Sequence, residues 1–308
     1  MSGTTVRPGA AFGDRDLPAL FHRTDQAAIG SQRATLVWVR RQMLLLVLAA
    51  ACSGLPWQAR VGPVDLLALL SAAAYVGALW STGLIARNRP RDDWQLQRSA
   101  AELVRSHCWR FAVGGAPYGM GVRDPESALE AAVHDGLHRL HTIGWREPPA
   151  DGPDPGPHRL VTPGMRALRG KAFVVRRDIY LRDRVEEQRD WYRRRSAESR
   201  RGGLLWSSVT VAGTLVALTA AVAKALEVGT SMDLAGIASA AAASAVAWSE
   251  VRQHQPLVAA HALIAQELSA LGVSLRHIET EPLWAVNVEV AEDTVSPDYT
   301  AWLARHRG

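Results

Sequence analysis

The sequence predicts an all-α membrane protein: two transmembrane helical hairpins, four spans in total, with long cytoplasmic helices. Three observations predict it. The apolar residues gather in four runs, although the chain as a whole has a mean hydropathy of −0.05 and 21% charged residues. The runs come in pairs whose connections are too short to hold a domain. Arginine collects at one end of each pair, the asymmetry that orients membrane proteins with their basic loops in the cytoplasm.

Residues 1–17 begin MSGTTVRPGAAFGDRD, which has no apolar core of the kind a signal peptide needs. They are expected to be a disordered N-terminus, with the first apolar run itself directing insertion. That run, Met43 to Leu55, extends backwards through Trp38 and Val39, with Arg40 and Arg41 near the headgroups. The second, Val64 to Ala86, has the length needed to cross roughly 30 Å of hydrocarbon at about 1.5 Å per residue. Between them PWQARVGP reads as a turn, punctuated by Pro56 and Pro63. The third run spans Leu204 to Leu226 and the fourth Leu234 to Val246, separated by EVGTSMD with Gly229 for the turn. The fourth is rich in alanine and only moderately apolar. Its pairing with the third across so short a turn assigns it as a span.

Arg33, Arg40 and Arg41 precede span one, Arg87, Arg89 and Arg91 follow span two, and Arg193, Arg194, Arg195, Arg200 and Arg201 precede span three. The two turns carry only Arg60. A multi-pass protein of the cell membrane with both termini and the middle region cytoplasmic is therefore expected. Eleven tryptophans against four phenylalanines suit an interfacial belt, with Trp57 on the outer side and Trp38, Trp80, Trp206 and Trp248 nearer the inner side.

The middle region is expected to continue span two as a helix, with Trp94, Ala101, Val104 and Cys108 near helical spacing and Arg98 and Arg105 elsewhere on its surface. GGAPYGMG breaks it. Asp124 then reads as an N-cap with Pro125 at the first helical position, and Leu129, Val133, Leu137 and Leu140 form an apolar face. Thr162–Pro163 restarts a helix. Tyr180 to Arg201 is a charged amphipathic helix that runs into span three, with Leu181, Val185, Gln188 and Tyr192 on one face. Helix resumes after span four, with Pro256 placed to kink it. The order of elements repeats in parallel: a first two-span domain over 18–146, a Pro/Gly-rich linker over 147–160, and a second two-span domain over 161–308.

Cys52 and Cys108 make neither a disulfide framework nor a zinc site. The net charge of +5 and pI near 9.7 are ascribed to topology rather than to a nucleic-acid partner, and RRRSAESRR before span three is expected to meet anionic headgroups. Ser71 and Ser81 in span two, Thr210 and Thr214 in span three, and Ser239 and Ser244 in span four are candidate pore-lining residues. The same small and hydroxylated side chains also serve plain helix packing. No charged ring lies mid-span to act as a filter. His134, His138 and His141 share one side of a helix, a spacing open to a metal or to a polar flank; one helix alone does not complete a tetrahedral site, and no metal is expected. GGAPYGMG lacks the Lys–Ser/Thr ending of a phosphate loop. Glu186, Glu187 and Gln188 face a possible pairing with Gln266 and Glu267 across the second hairpin. No catalytic set or cofactor motif is visible, so a non-enzyme is expected.

The stretch VTPGMRALRGKAFVVRRDIYLRDRVEEQRDWYRRRSAESRR, followed later by LVAAHALIAQELSAL and VEVAEDTVSPDYTAWLARHRG, resembles a SLATT domain. The first half, from DLPALFHRTDQAAIGSQRATLVWVRRQ to QRSAAELVRSHCWRFAVGGAPY, is similar to a second SLATT subtype. The most specific elements are Tyr180, Asp183, Arg184, Gln188, Trp191 and Tyr192, then Glu267 and Trp302. SLATT domains are two-span modules associated with SMODS nucleotidyltransferases and SLOG sensors in prokaryotic conflict systems. The resemblance implies a pore-forming or membrane-perturbing antiphage effector that acts as a homo-oligomer. With no sensor fused, it also implies a separate nucleotide-signalling or sensor chain. The alternative is a membrane-anchored scaffold whose cytoplasmic helices dock a partner.

Overall fold

The computed structural model describes residues 11–56, 60–61, 64–88, 90–149, 160–226, 233–252 and 254–295. Apart from a two-residue antiparallel ladder, the regular structure there is helical. The chain divides into two compact units. The span unit comprises Arg33–Pro90 and Arg195–Ala260, and the core unit comprises Met1–Gln32, Arg91–Arg194 and His261–Gly308.

The span unit holds the two hairpins. Helix α1 (Ala19–Gly54) ends in it and α2 (Leu66–Asn88) follows. Their connection is more than a turn: Arg60–Val61 (β1) pairs with Val64–Asp65 (β2), Arg60 opposite Asp65. Asp65 then caps α2, accepting from the Leu67 amide at 2.9 Å. The packed face is made of small residues, which let backbones approach closely. Ala49, Ala74 and Ala78 are buried, and a Cβ on Gly77 would sit 3.2 Å from Leu45.

Helix α7 (Glu187–Ala225) and α8 (Leu234–Arg252) form the second hairpin. Gly213 lies against Ala242, 3.2 Å from where its own Cβ would stand. Lys224 and Asp233, 3.6 Å apart, flank the connection, and the Asp233 amide donates to the Gly54 carbonyl at 2.8 Å. The apolar side chains of these helices mostly face outward: Leu79 is 74% exposed, and Leu44, Val76, Leu204, Val211 and Leu215 are exposed as well. In water such a surface would be costly. In lipid it is the required one.

Five helices are long and apolar enough to cross a membrane: Ala19–Gly54, Leu66–Ile85, Phe173–Ala225, Leu234–Arg252 and Val258–Arg276. The last belongs to α9 (His254–Arg276). Within its apolar stretch one face is committed to the core unit, where Ala265, Leu268 and Leu275 are buried.

In the core unit α3 (Pro90–Val113), α4 (Pro125–Thr142), α5 (Pro163–Arg169), α6 (Phe173–Tyr180) and α10 (Glu281–Val295) pack around Trp109, Tyr180 and Trp284. The cap predictions hold locally. Asp124 accepts from the Ser127 amide with Pro125 at the first helical position. Thr162 accepts from Met165 and donates to the Asp16 carbonyl at 2.6 Å. Gly136 on α4 faces α3 so closely that a Cβ would come within 2.7 Å of Leu103.

Two expectations change. Residues 11–17 are not disordered: Phe12 and Leu17 are buried, and Phe12 meets the Trp109 ring edge-on at 4.7 Å. Two apolar residues in a polar stretch announce nothing on their own, because their partners lie about a hundred positions away. Where span two passes into the middle region, residue 89 lies outside the described residues; helix is described up to Asn88 and again from Pro90. The expected kink at Pro256 falls close to residue 253, which lies outside the described residues; helix is described up to Arg252 and again from His254. Arg105 is not a surface residue. It is buried, with Asp14 at 3.0 Å, Glu102 at 2.9 Å and its guanidinium 4.7 Å from the Phe21 ring centroid.

Candidate functional site

Between α6 and α7 the helix widens into a π-helical turn, Leu181–Glu186. An α-helix commits about every third or fourth residue to one face. This turn commits almost all of them: Ile179, Tyr180, Leu181, Asp183, Arg184 and Val185 are buried, and Arg182 alone points out. Such widened turns appear frequently at functional sites.

The buried charges have matched partners. Arg184 donates from Nε to Glu292 Oε1 at 3.1 Å and from Nη2 to Oε2 at 2.8 Å, a two-pronged guanidinium–carboxylate pair. Tyr180 donates its hydroxyl to the same Oε1 at 2.8 Å. Glu292, on α10, is 0% exposed. Trp109 and Trp284 stand edge-on to the Tyr180 ring at 5.8 and 5.6 Å, which excludes water. Burial, and then the Glu292 charge, hold the Tyr180 phenol well above its ordinary range, so it stays a donor. Burial disfavours the charge on Arg184, but Glu292 more than compensates and keeps it protonated.

Asp183 turns the other way. It accepts from the amides of Ala11 (2.9 Å) and Phe12 (3.4 Å) and is gripped by Arg182. The turn thus ties α10 on one side and the N-terminal segment on the other. Glu187 follows it, its carboxyl held above the usual range by burial and then by the nearby Asp14 and Asp183 charges.

A second set of contacts closes α3. Its final carbonyls carry the partial negative charge of a helix C-terminus. Arg169 donates to Phe111 O at 2.7 Å, and Arg176 donates to Val113 O at 2.7 Å and also grips Glu281. Trp284 Nε1 donates to Val113 O at 2.9 Å. The GGAPYGMG segment makes this possible: Gly114 has φ +76°, and a Cβ on Gly115 would lie 2.5 Å from Val288. The segment is a helix stop that receives α10, with a cis Ala116–Pro117 bond.

The other predicted residues are distributed as follows. Trp191 and Tyr192 form an aromatic group with His261, ring centroids 6.0 and 5.5 Å away, and Tyr192 is buried against Ala265, Leu268 and Val295. Gln188 is half-buried; Gln266 and Glu267 are exposed, and Glu186 pairs with Arg276 at 2.5 Å instead. Trp302 lies outside the described residues. Ser71 bonds Ser53 Oγ at 2.7 Å and donates to Ala49 O at 3.0 Å. Ser81, Thr210 and Thr214 each donate to the carbonyl four residues back in their own helix. Thr214 and Ser239 are exposed and Ser244 half-exposed. His134, His138 and His141 are exposed on the face of α4 away from Leu129, Val133 and Leu140, and no group of three or more metal-ligating side chains occurs among the described residues. Beside the first hairpin turn, a cavity of about 510 Å³ is lined by Cys52, Ser53, Asp65, Ser71 and Tyr75 among others.

Glu292, Trp284 and Arg176 were not anticipated. A signal for the first two was present: Trp284, Val288, Ala291 and Val295 recur at helical spacing, and Glu292 adjoins that stripe.

Residues 18–177 match the family model described as SMODS and SLOG-associating 2TM effector domain 3, and residues 180–302 match SMODS and SLOG-associating 2TM effector domain 1. No curated protein and no solved structure matches the chain. The core unit draws α3 and α4 from the first matched region and the π turn and α10 from the second. The chain belongs to the SMODS and SLOG-associating two-transmembrane effector (SLATT) family and carries two of its domains in tandem.

Proposed function

We propose that this membrane protein is an effector of a prokaryotic antiphage or conflict system that acts as an oligomer by opening a path through the bilayer. One observation carries the reading. Helix α7 runs for 39 residues without a break. Its entry is fixed by the buried Tyr180–Arg184–Glu292 contacts, yet the most apolar stretch of the Phe173–Ala225 helix has no buried residue at all. Beyond its contact with α8 at Gly213, the surface of that stretch is available to lipid or to another protomer. Release of Glu292 would let the entry of α7 turn and carry its span along.

Four of the five apolar helices cross the membrane in this reading, because α9 has its apolar face committed to the core unit. Both termini and the middle region lie in the cytoplasm on the arginine count. Each two-span domain, 18–146 and 161–308, contributes one hairpin. Four spans are too few to enclose a wide channel, so protomers assemble, and a separate nucleotide-signalling or sensor chain supplies the trigger. Thr214, Ser239 and Ser244, with Thr210 beside them, are the lining candidates.

The test is potassium flux from liposomes carrying the purified protein, with dye release to gauge pore width. Flux is expected from the wild type or, where the contacts hold it shut, from Glu292→Gln. A tight membrane in both cases, with insertion verified, overturns the proposal. The scaffold alternative has one observation in its favour: Leu283, Val286 and Val290 leave an exposed apolar stripe on α10. Harmless overexpression, no flux and a stable co-purifying partner would select it.

A further inference from the structure

The end of α8 carries an arginine whose surroundings are incomplete. Arg252 is half-buried, and among the described residues no carboxylate pairs with it. Its guanidinium lies over the Trp248 ring, 5.7 Å from the centroid. Trp248 in turn stands 6.1 Å from Trp206 on α7. Arg195 precedes Ser196, which is bonded to the segment just after Arg252, and its positive charge adds to the burial that disfavours charge on Arg252. Arg195 shares its own charge with Glu198 at 3.0 Å, which leaves Arg252 the member with no carboxylate among the described residues. Ser196 donates to the Val258 carbonyl at 3.1 Å, so the α7 and α9 segments meet beside this group.

A half-desolvated guanidinium next to a like charge calls for an anion, and its planar fork suits a phosphate. Tryptophans favour the boundary where one side is apolar and the other wet. Leu205 and Val209, either side of Trp206 on α7, are exposed and apolar, the surface an acyl chain would cover. We propose that Arg252, supported by Arg195 and framed by Trp248 and Trp206, binds the phosphate of an anionic phospholipid at the membrane surface. The site rests on the reading of α8 as a span. It is a discrete site, distinct from the diffuse attraction of the exposed Arg193, Arg194, Arg200 and Arg201.

The experiment measures phosphatidylglycerol bound to the detergent-purified full chain by native mass spectrometry, with phosphatidylcholine and free inorganic phosphate as comparison probes. Phosphatidylglycerol is expected to bind in preference to both. One basic residue near a charged surface contributes about 1 kcal/mol, so Arg252→Gln should weaken retention about fivefold, while Arg201→Gln, which removes the same charge from an exposed position, should have a smaller effect. Arg252→Lys keeps the charge and loses the fork, and should also weaken retention. Equal losses in Arg252→Gln and Arg201→Gln would overturn the discrete site in favour of a general basic belt. Equal retention of phosphatidylcholine would overturn the phosphate as the recognised group, and tight binding of inorganic phosphate would overturn the lipid as its source. Flux with no lipid preference refutes this site and leaves the effector reading standing; lipid preference with no flux does the reverse.

Discussion

Replacing Glu292 with alanine removes the carboxylate that takes both prongs of the Arg184 guanidinium, whose side chain is 4% exposed. It also strips the Tyr180 hydroxyl of its acceptor. Breaking a buried pair from one side costs about 3–5 kcal/mol, and an orphaned hydroxyl about 1–3 kcal/mol. The two overlap because they share one oxygen, so about 3–5 kcal/mol is the expected total. At roughly 2–4 °C per kcal/mol for a unit of this size, the core unit should melt about 6–20 °C lower. Tryptophan fluorescence reads the event directly, since Trp109 and Trp284 are both buried within 6 Å of the Tyr180 ring. The decisive companion is Tyr180→Phe/Arg184→Met/Glu292→Leu, which removes every polar member at once. Exchanging a buried ion pair for apolar side chains is often neutral or stabilising, so this variant should recover most of the loss. A single variant melting within about 2 °C of wild type, on the scale used above, would refute the assignment of Arg184 and Glu292 as a desolvated pair.

Burial, and then the charges of Arg110 and Arg139, lower His107 from 6.5 to about 4, and its Nδ1 shares a 2.7 Å hydrogen bond with the Tyr118 hydroxyl. The unfolded chain takes up this proton more readily, so the contribution is full above about pH 6.5 and is lost as pH falls towards 4, with about 2 kcal/mol gone by pH 5. The fall in melting temperature between pH 7 and pH 5 should accordingly be about 4–8 °C smaller in His107→Gln, and an unchanged fall would contradict the neutral buried imidazole. Gly115→Ala puts a methyl group 2.5 Å from Val288, a stiff β-branched neighbour. A loss of about 1–3 kcal/mol should appear in a denaturant midpoint, and a midpoint equal to wild type would mean α10 is free to shift.

The four apolar runs, the short turns and the arginine asymmetry were legible because lipid imposes a one-dimensional rule: a run of sufficient length and apolarity needs no knowledge of its neighbours. Local caps were legible for a similar reason, since Asp124 and Thr162 act on amides three residues away. Of the face read as Leu181, Val185, Gln188 and Tyr192, three residues are buried and Gln188 is half-buried. What that pattern did not reveal was the π turn, because a widened helix changes which residues point inward without changing their composition.

The candidate site itself was half visible. Tyr180, Asp183 and Arg184 stood out through family resemblance, but their roles depend on Glu292, Ala11 and Phe12, between 108 and 172 positions away among the bonds that define them. A charged residue in a helical sequence reads as solvated until a partner takes it out of water, which is why Arg105 was placed on the surface and Glu292 passed unnoticed. Val258–Arg276 is ambiguous in the same way: its length and composition fit a span, and only the burial of Ala265, Leu268 and Leu275 gives one face to the core unit. By itself, then, the sequence determined the membrane class, the paired hairpins and the tandem family membership, all of which rest on local composition and order. Tertiary structure alone decided that α3 and α4 of one matched region share a core with the π turn and α10 of the other. Burying an ion pair and closing a helix end are agreements between distant residues, and no single segment carries both sides of them.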